Sequence, residues 1–293
     1  MKRFEQMHPI VSFIYFMLAI FITMFTNNPI ITITSFIGSI LFDISLRGFK
    51  KSIIGFLKLL PIMLLVVILN PVFNSRGVTI LFYLNGNPFT LEALLYGANA
   101  AVMIFGVINW FRCYSFVFTS DKFIYLFGKI VPKFSLVLAL VMSFIPRFSK
   151  KFKEIDEAQK ALGVYQSKSF TDRLRNRFRI LSILITYSLE TSIETADSMK
   201  ARGYGLFGRS SYSIFKFIRN DLWLLILFIL FGGALITLLS LNGGYFTFYP
   251  SISTLFPSNL SIYLYILFGL FVLIGPALEL KEDLLWRYLK QKI

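Results

Sequence analysis

The sequence lacks the residues that most metal centres and disulfide-bonded domains need. Among its 293 residues there is one cysteine, Cys113, and one histidine, His8. A lone cysteine can form neither an internal disulfide nor a thiolate cage for zinc. A single histidine beside Pro9, at the start of an apolar run, is a poor base for a membrane-embedded enzyme. We therefore expect no catalytic residue, no metal ligand and no cofactor in this chain.

Charge is scarce, and acidic charge is the scarcer kind. Only 15% of the residues are charged, Lys and Arg outnumber Asp and Glu by 30 to 15, and 56% are hydrophobic. Soluble globular proteins of this length are not normally so apolar. The 34 phenylalanines lie mostly inside apolar runs and not between basic residues, as a base-stacking surface requires. The composition excludes a nucleic-acid partner and predicts an all-α integral membrane protein.

Six apolar runs are long enough, or nearly so, to cross a bilayer as helices. About four lie in an N-terminal part, residues 1–120, and about two in a C-terminal part, residues 220–293. Between the third and fourth runs, "VTILFYLNGNP" predicts a small hairpin inside the loop at 70–90. The six predicted spans are 10–25, 30–46, 53–69, 91–111, 222–241 and 260–278.

The distribution of basic residues predicts which side of the membrane each loop occupies. The loop at 70–90 carries only Arg76, and the loop at 242–259 carries no Lys or Arg. The positive-inside rule then places both termini in the cytoplasm and requires an even number of spans. The predicted location is the cell membrane, with several passes. The basic residues that mark the cytoplasmic side are Lys2, Arg3, Arg47, Lys50, Lys51, Lys58, Lys281, Arg287, Lys290 and Lys292.

The region between the fourth and fifth spans, residues 121–219, has a different character. About half of all Lys and Arg lie between positions 146 and 219. Apolar residues recur there at helical spacing, which predicts a cytoplasmic layer of amphipathic helices with basic faces toward anionic lipid headgroups. The run at 133–146 is too short to span comfortably, and we assign it to this cytoplasmic or membrane-skirting layer. The spaced apolar residues are Phe148, Phe152, Ile155, Phe178, Leu181, Leu184 and Ile185.

The stretch "KARGYGLFGRSS" resembles a phosphate-binding loop, with Gly203, Gly205 and Gly208 spaced as G-x-G-x-x-G. A phosphate-binding loop follows a strand and opens a helix, whereas these glycines follow a helical run at 179–201. Arg209 also stands where such a loop needs lysine. We therefore expect Gly203 to end a helix with a positive φ, and we expect this chain not to bind a nucleotide.

An internal echo is the more informative pattern. "EIDEAQKALGVY" and "ETADSMKARGYG" both end a charged helix with Lys-Ala-x-Gly, at residues 160–163 and 200–203. One interpretation is two ordinary helices with i,i+3 charge pairs and glycine caps. The other is two similar tips, each shaped for the same kind of groove on a pair of related partner subunits. In the second tip, Arg202 can donate a fork of hydrogen bonds to a carboxylate of the partner.

These motifs together resemble a known family. The opening "HP", the "NPVF" loop, "TLEALLYG", "IPRF" and above all "MKARGYG" are similar to the transmembrane T component of energy-coupling factor (ECF) transporters, the EcfT/CbiQ family. The resemblance implies a scaffold that contacts two ATPase subunits and a membrane-embedded substrate-binding S component, with ATP bound by the ATPases. Ala201, Arg202 and Gly203 correspond to the second of the family's two Ala-Arg-Gly coupling motifs. The first motif corresponds to Ala161 and Gly163, preceded by Lys160.

The first motif departs from the family pattern, because Leu162 stands where arginine is typical. Leucine cannot form an ion pair, so this tip would dock by apolar contact or through the weaker charge of Lys160. The imported vitamin or metal would be selected by the S component. Two alternatives from other classes stay open, a stand-alone secondary transporter and a membrane scaffold not coupled to ATPases. Secondary transporters usually place ionisable residues in mid-membrane, whereas here Asn99 and Asn109 are better explained by helix packing.

Overall fold

The computed structural model describes residues 3–74, 76–84, 87–128, 131–163, 170–206, 215–241, 243–256 and 258–291. The chain divides into two compact units. Unit 1 combines Met1–Lys122 with Phe215–Ile293, and unit 2 is Phe123–Ile214. The predicted boundaries at 120/121 and 219/220 rest on hydropathy, whereas these units rest on contacts between residues.

Helices dominate the described residues, which confirms the all-α prediction. Five helices are long and apolar enough to cross a membrane, namely α3, α4, α5, α9 and α10 below, and α2 is a shorter apolar helix of 17 residues. These six coincide one for one with the six predicted spans. The elements are α1 (Arg3–Gln6), α2 (Pro9–Phe25), α3 (Pro29–Arg47), α4 (Phe49–Phe73), β1 (Ile80–Leu84), β2 (Asn87–Thr90), α5 (Leu91–Val117), α6 (Ser120–Gly128), α7 (Pro132–Ala161), α8 (Phe170–Ala201), α9 (Arg219–Ser240) and α10 (Asn259–Gln291).

The boundaries of α3 follow from its local sequence. The Asn28 side chain accepts a hydrogen bond from the Ile30 N–H at 3.0 Å, and Pro29 opens the helix where no intrahelical donor is needed. At the other end Gly48 has a φ of 83° and donates its N–H to the Ile44 carbonyl at 2.9 Å. Glycine adopts this conformation at little cost, so α4 can begin at the next residue in a new direction.

The core of unit 1 is an aromatic cluster formed by α2, α3, α5 and α10. Tyr15, Phe42 and Trp110 are all 0% exposed. The ring of Tyr15 lies 5.9 Å from that of Trp110 and 5.2 Å from that of Phe271, and its hydroxyl donates to the Val272 carbonyl at 2.9 Å. A buried tyrosine needs such an acceptor, and this one joins α2 to α10.

The predicted hairpin at 70–90 is confirmed. Strands β1 and β2 pair antiparallel, with Phe82 stacked on Phe89 at 4.5 Å between ring centroids. The turn residues 85–86 lie outside the described part of the chain. The carboxylate of Glu92, which is only 3% exposed, accepts hydrogen bonds from the N–H groups of Val78 and Thr79 at 3.3 and 3.1 Å. Helix α5 therefore holds the base of the hairpin through its first turn.

Unit 2 is built on two long helices, α7 with 30 residues and α8 with 32. Residues 133–146 form the first half of α7, which continues through Pro146. Neither helix is among the five that could cross a membrane. Along the predicted apolar spacing, Ile155 is buried at 9% exposure, and on α8 the buried residue is Ile180 at 1%. Phe178, predicted to lie on the apolar face of α8, is 63% exposed.

Candidate functional site

Helix α8 ends at the glycine that the sequence predicts as its cap. Gly203 has a φ of 80°, and its N–H donates to the Lys200 carbonyl at 2.9 Å. The Tyr204 N–H donates to the Met199 carbonyl at 3.0 Å. These two bonds define a Schellman motif, in which the last carbonyls of a helix accept hydrogen bonds from the residues that follow it. The predicted role of Gly203 is confirmed, and Gly208 lies outside the described residues.

Helix α7 ends with the same geometry. Gly163 has a φ of 74°, and its N–H donates to the Lys160 carbonyl at 3.0 Å. This bond matches the one from Gly203 to Lys200 at the end of α8. The donor of a second bond would be residue 164, which lies outside the described residues. The echo in the sequence is therefore an echo of backbone geometry as well.

The side chains at both helix ends are exposed. Ala161, Ala201 and Arg202 are exposed, and Leu162 is 75% exposed. Within the described part of the chain, the Arg202 guanidinium makes no ion pair and no side-chain hydrogen bond. Its five N–H donors can therefore bind a planar acceptor such as a carboxylate.

Each end also carries a local charge pair. The Lys200 ammonium lies 3.8 Å from the Asp197 carboxylate, with i,i+3 spacing as predicted. In α7, Lys160 pairs instead with Asp156, one turn earlier, at 2.6 Å. Exposed pairs of this kind contribute little to stability. Two ordinary helices with glycine caps would also have these charge pairs and these glycines. That interpretation gives no reason for an exposed arginine at position 202.

The two helices meet near the middle of unit 2. The ring of Phe148 on α7 lies 6.3 Å from the ring of Tyr187 on α8, and the Lys151 ammonium lies 5.3 Å from the centre of the same tyrosine ring. From Phe148 to Ala161 is 13 residues and from Tyr187 to Ala201 is 14, so about 20 Å of helix separates this contact from each capped end. The arrangement is two arms of nearly equal length, joined at this contact.

Comparison with known proteins identifies the family. Residues 4–214 match the CbiQ family, described as cobalt transport protein, and this match covers more than half of the chain. The chain belongs to the CbiQ family. A curated relative, the energy-coupling factor transporter transmembrane protein EcfT of Lactobacillus helveticus (strain DPC 4571), is 32% identical over 108 residues. That alignment covers 36% of this chain and 39% of the relative, so less than half of the relative is matched.

Family membership confirms the resemblance drawn from the motifs, and the apolar helices support a multi-pass membrane protein. Both Lys-Ala-x-Gly ends fall within the matched residues. The roles of Lys160, Ala161, Gly163, Ala201, Arg202 and Gly203 in docking stay predictions.

Two asparagines of the spans act as the sequence predicts. The Asn99 amide donates to the Asn27 carbonyl at 3.1 Å and accepts a hydrogen bond from the Thr32 hydroxyl at 2.5 Å. The Asn109 amide donates to the Ser39 hydroxyl at 3.2 Å. Both therefore tie α5 to α3 and its preceding turn, and the prediction of helix-packing hydrogen bonds is confirmed. The described residues contain no group of three or more His, Cys, Asp or Glu that could hold a metal ion.

Sequence reasoning passed over a charged cluster among the membrane helices. Asp43 in α3 is 0% exposed, and one of its carboxylate oxygens, Oδ1, accepts hydrogen bonds from the Arg47 guanidinium. The other oxygen lies 4.0 Å from the Arg112 guanidinium of α5 and accepts no hydrogen bond within the described residues. An acidic residue four positions before an arginine, inside a predicted span, was the available signal.

Proposed function

We propose that this chain is the transmembrane coupling subunit of an ECF-type importer for a vitamin or metal micronutrient. It takes up the movement of two partner ATPases at the ends of α7 and α8 and passes it to a membrane-embedded S component. Support comes from its CbiQ membership and from the relative whose name describes a transmembrane protein of an energy-coupling factor transporter. ATP is bound by the partners, and this subunit performs no catalysis.

The pair of equal arms is the observation that carries the proposal. Each arm is an uninterrupted helix of about 20 Å between the contact at Phe148 and Tyr187 and its glycine-capped end. A helix bends little over this length, so a displacement of one end is transmitted to this contact rather than absorbed on the way. Equal arms suit a partner made of two related subunits that move together.

Arg202 is the residue through which the second end would hold its partner. Its exposed guanidinium has no ion-pair partner within the described residues, so docking breaks no existing contact. A bidentate arginine–carboxylate pair fixes orientation as well as distance, which a lysine cannot reproduce. The end of α7 presents Leu162 instead, and there an apolar contact replaces the ion pair.

The test is uptake by the assembled complex in vesicles with ATP on the ATPase side. Because truncating one side of a desolvated charge pair typically costs about 2–5 kcal/mol, we expect Arg202→Ala to reduce uptake roughly tenfold or more, with Arg202→Lys also impaired. Arg179→Ala removes an exposed arginine from the same helix, far from its end, and is the matched control. Normal uptake by Arg202→Ala at equal membrane abundance would remove Arg202 from the mechanism.

The alternative of a stand-alone secondary transporter is favoured by buried carboxylates in the membrane helices, of which Asp43 in α3 has the nearest cations. Its Oδ1 is already held by Arg47, which makes it part of an ion pair rather than an open cation site. Purification of the chain from its native membrane separates the two functions. The coupling function requires ATPase subunits in stoichiometric amount, and their absence, with transport retained, would favour the secondary transporter.

A further inference from the structure

We propose that unit 1 contains a binding site for one anionic phospholipid, centred on the Arg112 guanidinium between α3, α4 and α5. This site is independent of the docking proposed for α7 and α8. The argument rests on an arginine with unused donors, on two apolar depressions beside it, and on a glycine that makes room for it.

Arg112 has donors that the described part of the chain does not use. Its side chain is 24% exposed, so most of it is out of contact with the surroundings of unit 1. Among the described residues it makes no hydrogen bond, and its nearest carboxylate oxygen, on Asp43, lies 4.0 Å away. A partly buried arginine near the end of a membrane helix, with no hydrogen bond to the described residues, has N–H groups available for an acceptor from outside the chain.

The local charge is positive. Arg47 and Arg112 share the single carboxylate of Asp43, which leaves one positive charge on this cluster. Lys50 and Lys51, both exposed, follow at the start of α4, and no Asp or Glu lies between positions 44 and 91. The complementary ligand is therefore an anion, and the predicted topology places it in the cytoplasmic leaflet.

Arg112 lines two depressions. A cavity of about 260 Å³ between α3, α4 and α5 is lined by apolar side chains that include Ile40, Phe56 and Phe105, with Arg112 at its wall. A wider groove of about 530 Å³ is lined by Arg47, Arg112 and Phe111, among others. Apolar surface next to the arginines can hold the acyl chains of a lipid, whereas a free anion would use only the arginines.

Gly55 in α4 makes the position of Arg112 possible. A Cβ atom at residue 55 would lie 1.8 Å from Nη2 of Arg112, so any side chain there displaces the guanidinium. Gly55→Ala therefore moves the Arg112 guanidinium, which would bind the phosphate, without changing the charge of the protein. It also replaces a helical glycine by alanine, which favours the helix. A loss of lipid binding in this variant would not come from a weakened α4.

The experiment is a titration of the delipidated full chain in detergent, followed by native mass spectrometry. Dioleoylphosphatidylglycerol should bind the unmodified chain roughly tenfold more tightly than dioleoylphosphatidylcholine, because the choline cation of the second lipid cancels the phosphate charge and is repelled by the basic cluster. Arg112→Gln and Gly55→Ala should each reduce the first affinity to the level of the second. Lys51→Gln, which removes a nearby charge that lines neither depression, should retain the preference.

Three outcomes would overturn the site. Equal binding of the two lipids would show that the headgroup charge is not recognised. An equal loss in Lys51→Gln and Arg112→Gln would show general electrostatic attraction to a basic surface. Displacement of the lipid by glycerol 3-phosphate at equal concentration would show a site for a free anion, in which the apolar grooves take no part.

Discussion

At the scale of single residues, Lys122 is a buried lysine of unit 1. It is 3% exposed, and its ammonium makes no hydrogen bond within the described residues. Burial lowers the pKa of Lys122 from 10.5 to about 8, and the negative charge of Glu5 opposes that shift. Because the folded protein holds this proton less tightly than the unfolded chain, the charged form is destabilising at neutral pH. That destabilisation is relieved as the pH rises through about 8 toward 10.5.

We expect Lys122→Met to stabilise the protein at pH 7 by about 1–3 kcal/mol, the usual cost of a buried polar group without a partner. The difference from the unmodified chain should be constant below pH 8 and should shrink above it. Thermal unfolding of both proteins in the same detergent, from pH 7 to 9.5, measures this difference. A difference that does not change with pH would mean that the lysine is solvated.

Arginine serves two different purposes in this chain. Arg47 satisfies a buried carboxylate within its own helix, whereas Arg202 projects from a helix end with no partner in the described residues. The same guanidinium group is structural in one place and available for docking in the other. The groups that surround the guanidinium decide which of the two roles it has.

At the scale of elements, the glycine caps make the ends of α7 and α8 definite. The Schellman motif of α8 gives its last carbonyls hydrogen bonds and turns the chain sharply, and at α7 the bond from Gly163 to Lys160 is the described counterpart. The residue between the last helical alanine and the glycine is therefore exposed and held within the turn at each end. This position is Leu162 in α7 and Arg202 in α8.

Gly203→Ala should loosen the end of α8. A residue with a side chain at φ 80° costs about 1–2 kcal/mol, and its Cβ would lie 3.1 Å from the Leu206 side chain. We expect amide hydrogens at 203 and 204 to exchange several-fold faster, measured by hydrogen–deuterium exchange. Gly233→Ala is the control, because a Cβ on that helical residue of α9 meets nothing within 4 Å. Unchanged exchange in Gly203→Ala would show that the cap does not hold this end.

At the scale of the whole molecule, basic residues and apolar helices are segregated along the chain. The net charge of +15 is concentrated at the termini, at the bend between α3 and α4 and in unit 2, while the loops at 70–90 and 242–259 carry almost none. The positive-inside rule translates this pattern into an orientation.

Cysteine labelling tests that orientation. Cys113 is 0% exposed, so the unmodified chain should not react with a membrane-impermeant maleimide. We expect Val78→Cys and Ser251→Cys to be labelled in intact cells, and Ser198→Cys only after the membrane is opened. All three positions are exposed in the structure. Labelling of Ser198→Cys in intact cells would place α8 outside and would contradict the docking to ATPases.

The sequence by itself determined the six apolar helices, the hairpin and the capped ends at Gly163 and Gly203. Each of these depends on residues close together in the chain, because transfer into lipid is summed over one helix and a positive φ is a property of one glycine. Only the tertiary structure decided that α7 and α8 touch at Phe148 and Tyr187, and that Arg112 stands over Gly55 beside Asp43. These contacts join residues far apart in the chain, and helix packing, which no local pattern encodes, brings them together.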